Sequence, residues 1–426
     1  MNGELLNRFL DYVRIDTMAD EKAGRYPSSE GQWTLGRLLV DQLRQLGLSD
    51  VRQDEHGLVF AAIPGTAPDA PTIAWCAHLD TSPETPAAGV RPQVVADYPG
   101  GDIVLPGDPS RVIRVAENPE LTELVGRTII TSDGTTLLGA DDKAGIAAIV
   151  EAAARLMREP ARRHGPIRLC FTCDEEIGRG VEHLDPASLG AEACYTLDGH
   201  GRDEIDVETF SADLAIVTVQ GRNIHPAVAK GKMVNAVRAA ADFVARLPRD
   251  RLAPEATEGR EGFLHPYEIS GGVAEVRLRV LLRDFDTAKL SERAEMLQQA
   301  AEQTMGRFPE SRITVNIIRQ YRNMADGLAR HPRVVGYARL ALERLGRQPR
   351  LTIVRGGTDG ARLTELGLPT PNLSCGEHNP HSPLEWTCLE EIEAAAETLV
   401  SLAEVWAEQP EEYPGRPEPA HFDCTS

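Results

Sequence analysis

Aromatic residues are scarce in this chain, and basic residues are outnumbered by acidic ones. Aromatic side chains make up 5% of the 426 residues, so aliphatic packing must dominate the core. Lysine and arginine total 45 against 65 aspartates and glutamates, which gives a formal net charge of -20 at pH 7. Because such a surface repels nucleic acid and anionic membranes, we expect neither as a partner.

Long apolar runs and a secretory leader are also missing. No segment approaches the ~20 consecutive apolar residues of a membrane-spanning helix, and Glu4 and Arg8 lie where a signal sequence would be apolar. The seven cysteines are an odd number in apolar surroundings, which indicates reduced, buried thiols in a cytoplasmic protein. Cys170 and Cys173 form a CxxC pair, but they point to opposite faces of the strand predicted there, which argues against a chelating or redox pair.

The chain is too long for one ordinary core, and it predicts two domains or one domain with an insertion. In its first half, apolar strands alternate with helices. This alternation is typical of the α/β class, with a mixed, largely parallel sheet covered on both faces. The predicted strands are 58–63, 72–77 and 167–173, and the predicted helices are 3–15, a second that begins near 29 with a capping box of Ser29 and Gln32, and 144–157.

The pattern changes near residue 210. Segments 214–219, 273–282 and 313–318 alternate apolar and polar residues in the antiparallel manner, and helices 233–247 and 287–305 lie between them. These elements predict a smaller α+β, ferredoxin-like lid domain at 211–322. It would interrupt a catalytic domain formed by 1–210 and 323–408, and the tail 409–426 is expected to be irregular.

Polar groups at strand ends carry the chemistry. The apolar strand that ends in His78 is followed by Asp80, two residues on and therefore on the same face. Asp80 could accept a hydrogen bond from the far ring nitrogen of His78 and orient the imidazole for a metal ion. The ordinary explanation is a satisfied core histidine at a strand end.

Two adjacent acids, Asp141 and Asp142, precede a helix and are flanked by small residues. One acid there is explained by capping of the helix. A second exceeds what a cap needs, and a carboxylate can bridge two cations.

Further acids follow two other apolar strands. Asp174, Glu175 and Glu176 are consecutive, so that one glutamate could bind metal while its neighbour acts on water. Asp198 stands before a glycine, as in an ordinary turn. A charge run of this kind is usually a solvated loop, and these segments decide nothing singly.

Two late histidines, His378 and His381, lie in a loop after an apolar strand, and their spacing would suit a chelating pair. In open α/β sheets the carboxyl ends of the strands converge on one crevice, where so many acids and imidazoles would repel one another or stay unpaired without a cation. Nitrogen and carboxylate oxygen ligands without thiolate suit zinc, cobalt or manganese.

These motifs resemble those of the dinuclear zinc peptidase family that includes aminoacylases and glutamate carboxypeptidases. The resemblance extends from about Leu5 to Ala407. It is carried by His78-Leu79-Asp80, residues 139–145, Asp174-Glu175-Glu176-Ile177-Gly178 and Thr196-Leu197-Asp198-Gly199. Residues 257–263, Arg283-Asp284-Phe285-Asp286 and residues 355–360 resemble the tripeptide aminopeptidases (peptidase T) within it. His200 and the loop at His378 and Pro380 depart from that pattern.

The resemblance implies the roles of the strand-end residues. It implies two zinc ions, which cobalt or manganese could replace, with Asp141 as the shared ligand and a cis peptide bond after it. His78 and Asp198 would complete one metal site, and Glu176 and His381 the other. Glu175 would be the general base and Asp80 the orienting acid.

The resemblance also implies substrate contacts in the predicted lid. His225 would be an oxyanion donor on lid closure, and Arg283 would bind the terminal carboxylate of a short peptide, with Asn235 as a further contact. The structural alternatives are a histidine that caps a strand end, one more arginine on a polar strand face and a residue in the first turn of a helix. Some members of the family pair through their lids, so a homodimer is expected here.

The expected reaction is release of the amino-terminal residue from tripeptides. A deacylase or a dipeptidase with the same zinc chemistry is the nearest rival. A catalytically silent, metal-binding scaffold is the rival of another class. Glu175 argues against the scaffold, because chemistry requires a base and metal binding does not.

Overall fold

A computed structural model describes residues 2–67 and 69–414, in two compact units. Within these residues, the first unit comprises 2–207, 324–353 and 358–414, and the second comprises 208–323 and 354–357. The last part of the predicted tail, 415–426 with Cys424, lies outside the described residues.

The helices match the predicted pattern closely, and most bounds shift by a few residues. In chain order the α-helices are α1 (Asn2–Val13), α2 (Glu30–Gln45), α3 (Ala140–Arg158), α4 (Pro186–Leu189), α5 (Ala236–Arg246), α6 (Lys289–Arg307), α7 (Ala325–Ala329), α8 (Pro332–Arg344), α9 (Asp359–Glu365) and α10 (Leu389–Glu408).

The strands include every predicted one, several short ones that were not predicted and one unpredicted strand of nine residues, Phe263–Gly271. In chain order they are β1 (Ser49–Gln53), β2 (Val59–Ile63), β3 (Ile73–His78), β4 (Gln93–Val95), β5 (Ile103–Val104), β6 (Val112–Ile113), β7 (Ile129–Thr131), β8 (Ile167–Thr172), β9 (Ala193–His200), β10 (Glu204–Thr209), β11 (Ser211–Gln220), β12 (Phe263–Gly271), β13 (Glu275–Asp284), β14 (Arg312–Tyr321), β15 (Arg350–Val354), β16 (Asn372–His378) and β17 (Trp386–Cys388).

The first unit is built on a mixed sheet, as predicted, with the strand order β1-β2-β8-β3-β9-β16-β17-β7-β4. Along this path, parallel pairing joins the four central strands β8, β3, β9 and β16. The strands on either side pair antiparallel, so the parallel part is narrower than expected. The central strands are almost wholly buried, which is why they are continuous apolar runs.

The parallel strands end at one edge of the sheet, and their ends carry the predicted site residues. β3 ends at His78, β9 contains Asp198, and Asp174 follows the end of β8 closely. The helix α3 packs against β3, β9 and β16, and it is rich in alanine and buried along nearly its whole length. A buried helix beside three strands therefore brings its first residues to the same edge.

The second unit has the topology expected of a ferredoxin-like domain. Its four strands pair antiparallel in the order β12-β13-β11-β14, and the chain order is strand, helix, two strands, helix, strand. The helices α5 and α6 and the sheet bury one apolar cluster that includes Val217, Phe243, Val280 and Leu297. Its action as a lid stays a prediction.

The predicted capping box at the start of α2 is wrong. Ser29 makes no capping hydrogen bond with its side chain. The amide of Gln32 donates instead to the Ser29 hydroxyl, at 3.1 Å, and to the Asp174 carboxylate, at 2.7 Å. A contact distant in sequence has replaced the local one.

Candidate metal centre and active site

The structure places the side chain of Asp141 between two imidazoles. Its Oδ1 atom lies 2.9 Å from Nε2 of His78, and its Oδ2 atom lies 3.2 Å from Nε2 of His381. His78 ends the central strand β3, whereas His381 lies in the loop after β16, where its backbone has a left-handed φ of 60°. One carboxylate thus faces two nitrogen ligands, each with a different oxygen.

A second carboxylate stands beside each imidazole. Nε2 of His78 is 3.7 Å from Oδ1 of Asp198, and Nε2 of His381 is 2.9 Å from Oε2 of Glu176. The five predicted ligands therefore form two trios that share Asp141. We call them the His78 trio (His78, Asp141, Asp198) and the His381 trio (His381, Asp141, Glu176).

The two adjacent acids in the kinked first turn of α3 have different roles. Asp142 is fully buried, and its oxygens accept hydrogen bonds from the backbone N–H groups of Gly145 (3.1 Å) and His78 (2.9 Å). It serves as the helix cap and ties α3 to β3, which leaves Asp141 for the imidazoles. The peptide bond between them is cis, as expected. A Cβ atom on Gly145 would stand 1.8 Å from the carbonyl oxygen of Leu197, so only glycine allows this close approach of α3 to β9.

The charges of the trios are mutually dependent. Burial by itself would lower the pKa of His78, but hydrogen bonds to its carboxylate neighbours, Asp141 first, raise it well above the usual range. The pKa of His381 is raised in the same way, against the effect of burial, by Asp141 and Glu176. Burial raises the pKa of Asp141, but the two imidazoles outweigh it and hold that pKa low.

The residues of the trios suit a divalent cation in their own right. His78, Asp141 and Glu176, which come from both trios, each offer a ligand atom within 4.8 Å of the others. His78 and Asp198 form a second such group with the capping residue Asp142. The Oε1 atom of Glu176 is buried without a hydrogen-bond partner in the described structure. A buried carboxylate oxygen of this kind requires a partner, and a cation would supply it. Imidazole and carboxylate donors are those of zinc, cobalt and manganese sites.

Asp80 contacts His78 differently from what we expected. The Nδ1 atom of His78 lies 3.1 Å from the main-chain oxygen of Asp80 and 3.4 Å from its carboxylate. The carboxylate accepts hydrogen bonds from the backbone N–H groups of Glu175 and Glu176, both at 3.0 Å. The orienting contact to the ring is therefore made chiefly by the main chain, because the carboxylate is occupied by the loop that carries the predicted base.

That loop is held by a second buried acid. Asp174 has a left-handed backbone, and its carboxylate accepts hydrogen bonds from the N–H of Ser28, at 2.7 Å, and from Gln32. Its own N–H donates to Gln32 at 3.0 Å. Burial raises the pKa of Glu175 well above its usual value, against the opposing effect of the His78 imidazole. A carboxylate of this kind takes up a proton readily, as a general base must.

The comparisons with known proteins agree with this geometry. A family model described as Peptidase family M20/M25/M40 matches residues 138–405. The Peptidase T of Geobacillus thermodenitrificans is 41% identical over 410 residues, which cover 96% of this chain and 100% of that protein. The chain belongs to peptidase family M20/M25/M40.

Solved structures extend the comparison for this M20 peptidase. The aminopeptidase PepT of Bacillus cereus superposes with a TM-score of 0.72 at 27% identity and covers 96% of this chain and 99% of its own. A tripeptidase of Staphylococcus aureus gives a TM-score of 0.75 at 24% identity with the same coverage, which supports the fold. The peptidase is accordingly a hydrolase with an α/β fold.

Glu385 is a functional candidate of the peptidase that sequence reasoning missed. It is buried, and its carboxylate accepts hydrogen bonds from the N–H groups of Leu138 and Gly139, both at 2.7 Å, and of Asp141, at 3.1 Å. These three bonds set the main chain that presents Asp141. Since main-chain contacts across more than 240 positions leave no local pattern, no motif pointed to Glu385.

His378 does not join the metal centre. Its ring stacks on Trp386, with centroids 3.6 Å apart, and its Nε2 atom lies 2.7 Å from Glu391. Burial would lower the pKa of His378, but contacts with Glu120 and Glu391 raise it. The alternative of a chelating pair with His381 is therefore wrong, because the buried side chain of His378 packs against α10 and β17.

The three predicted substrate residues lie in the second unit of the peptidase. His225 is exposed, and its Nδ1 atom accepts a hydrogen bond from the N–H of Ala227 at 3.2 Å, which caps a short 3-10 helix, not a strand end. Arg283 is buried and donates to the main-chain oxygens of Asp213 and Leu282. Asn235 caps α5 through its side-chain oxygen, which is the structural alternative considered above.

The expected lack of a membrane-spanning helix and the expected free thiols can be compared with the described residues. None of their helices has both the length and the apolar character needed to cross a bilayer. All six cysteines among them are buried and free of disulfide bonds.

Proposed function

We propose that this M20 peptidase releases the amino-terminal residue of tripeptides and depends on two zinc ions, one held by each trio. The observation that carries the proposal is the position of Asp141, whose two oxygens face His78 and His381 separately. A carboxylate in this position can bind two cations at once, and it leaves the other ligands of each trio to complete the sites.

The names of the similar proteins support the choice of substrate. The relative from Geobacillus thermodenitrificans is a Peptidase T, and the similar structures are an aminopeptidase and a tripeptidase. Cobalt and manganese use the same donor atoms and are the proposed substitutes for zinc. We also propose a cytoplasmic location, in accord with the free, buried thiols of the described cysteines.

The chemistry follows from the groups around the trios. Bound divalent cations would polarise the scissile carbonyl group and make water more acidic. Glu175 would take the proton from the attacking water and later deliver it to the leaving amine. Asp80 would keep Glu175 in place through the main-chain hydrogen bonds that both glutamates donate to it. Glu175 would thus be the base, and Glu176 would be a metal ligand.

The second unit would supply the remaining contacts by closing as a lid at 211–322. His225 is the proposed donor to the developing oxyanion. Among the described residues its side chain makes a single hydrogen bond, through Nδ1, and this leaves Nε2 to act as the donor. Arg283 is the proposed partner of the peptide's terminal carboxylate, and Asn235 is a weaker candidate because its oxygen caps α5. We propose that two copies of the chain pair through these units.

A panel of substrates tests the proposed reaction. Zinc-loaded protein should cleave free tripeptides faster than dipeptides, tetrapeptides and N-acyl amino acids, with the amino-terminal residue as the first product. Faster cleavage of an N-acyl amino acid than of any tripeptide would assign the chain to the deacylases, and a preference for dipeptides would assign it to the dipeptidases.

A further inference from the structure

A sixth carboxylate lies at the metal centre. Glu377 is in β16, and its side chain is 3% exposed. Asp141, Asp198 and Glu377 each offer a carboxylate oxygen within 4.8 Å of the others. Asp141 and Asp198 belong to the His78 trio. Glu377 therefore lies beside the cation position proposed for that trio.

The two oxygens of Glu377 have different surroundings. The thiol of Cys375 donates a hydrogen bond to Oε1 at 3.3 Å. In the part of the chain that the structure describes, this weak donor is the one hydrogen-bond partner of the side chain, and no arginine, lysine or histidine forms an ion pair with it. No hydrogen bond within that part of the chain reaches Oε2, which is therefore available to bind a cation.

The neighbours of Glu377 cannot stabilise its charge. The nearest titratable groups are the carboxylates of Asp141, Asp142 and Asp198 and the thiol of Cys375. A buried carboxylate among like charges is unfavourable unless a cation lies between them. The burial of the side chain and the lack of a cationic partner among the described residues both point to a bound cation.

We propose that Glu377 is a fourth protein ligand of the cation held by the His78 trio. The inference rests on the proposed function, because it assumes that a cation binds there. This position would then offer three carboxylates and one imidazole, whereas the His381 trio offers two carboxylates and one imidazole. Because carboxylates suit manganese better than zinc, the position with Glu377 would favour manganese more than the other does.

The substitution Glu377→Gln tests the assignment. The amide keeps the size of the side chain and removes the charge. Metal-free protein is titrated with Zn²⁺ and, separately, with Mn²⁺ by calorimetry, and the metal content of the product is measured by mass spectrometry. We expect one of the two binding steps to weaken at least ~10-fold, since removal of even an outer partner of a metal ligand costs that much. The other step should stay unchanged, and the loss should be larger for Mn²⁺.

Glu391→Gln is the matched control. Glu391 is another buried glutamate, and it contacts His378, the residue after Glu377. In the described part of the chain it forms no hydrogen bond or ion pair with either trio. Both binding steps should be unchanged in this variant. Glu377→Asp is the second test variant. It keeps the negative charge, so metal binding can still be measured at this position if Glu377→Gln does not fold. It should bind Mn²⁺ more tightly than Glu377→Gln does.

The outcomes separate this inference from the proposed function. Two unchanged binding steps in Glu377→Gln overturn the inference and leave the proposed function intact. Equal weakening of both steps in Glu377→Gln and Glu377→Asp also overturns it, since a ligand of one position cannot act equally on both. Wild-type protein that binds no divalent cation overturns the proposed function and the inference together.

Discussion

The side chain of Glu385 fixes the main chain at Asp141, whose N–H donates a hydrogen bond to Oε1 of Glu385 at 3.1 Å. The same carboxylate also accepts hydrogen bonds from the two residues before α3, through Oε2. A residue outside both trios thus sets the position of the carboxylate that they share.

The substitution Glu385→Gln should weaken metal binding ~10- to 100-fold, the usual cost of losing a partner that orients a metal ligand. The amide keeps one acceptor oxygen and loses the other, so the main chain at Asp141 would shift. Calorimetric titration with Zn²⁺ measures the effect, and Glu391→Gln serves as the control. If Glu385→Gln lowered only the melting temperature, with metal affinity unchanged, Glu385 would have a purely structural role.

Adjacent glutamates should give opposite results when each is changed to glutamine. Glu175→Gln should lower kcat ~100-fold or more, because general base catalysis contributes that order, while two metal ions stay bound. Glu176→Gln should lose metal instead, since Oε2 of Glu176 lies 2.9 Å from the imidazole of His381. Measured kcat and metal content for both variants decide the matter, and the reverse pattern would exchange the two assignments.

Metal uptake should release protons. In the metal-free protein, carboxylate neighbours raise the pKa of both His78 and His381, so these imidazoles hold protons at neutral pH. A cation binds neutral imidazole, and it must therefore displace those protons. Affinity should fall as pH falls, by about one decade per pH unit for each proton displaced. Calorimetry in buffers of different ionisation enthalpy counts the protons, and a count of zero would contradict the assigned ligands.

The role of His225 is testable without knowledge of lid closure. His225→Ala should lower kcat ~100-fold if the imidazole donates to the oxyanion, with KM and metal content little changed. Mixing this variant with Glu175→Gln then tests whether the histidine serves a partner subunit, because hybrid dimers would regain one complete site. Unchanged kcat in His225→Ala would leave the histidine with its observed role as the cap of a short helix.

Much of the centre follows from local patterns, because apolar strands that end in His78 or lead to Asp174 already mark the edge of a parallel sheet. The two units also follow, since periodicity changes from buried apolar runs to alternating strands near residue 210. Other features depend on contacts distant in sequence. Gln32 bonds Asp174 and does not cap α2, and Glu385 bonds main-chain groups near Asp141. Such contacts have no spacing in the sequence by which they could be recognised.

The roles of the adjacent residues Asp141 and Asp142 could not be predicted from the residue types alone either. Two adjacent aspartates at the start of a helix indicate one helix cap and one metal ligand, but the residue types do not show which aspartate has which role. The kinked backbone in the first turn of α3 decides this, because it turns Asp142 toward the N–H groups of Gly145 and His78 and turns Asp141 toward the imidazoles.

The central claim is that peptide hydrolysis depends on cations held by the two trios that share Asp141. It is tested most directly by removing all metal with a chelator, verifying the loss by mass spectrometry, and measuring tripeptide cleavage as Zn²⁺ is added back. We predict no cleavage without metal and full recovery at two equivalents per chain. Undiminished cleavage by verified metal-free protein would contradict the claim.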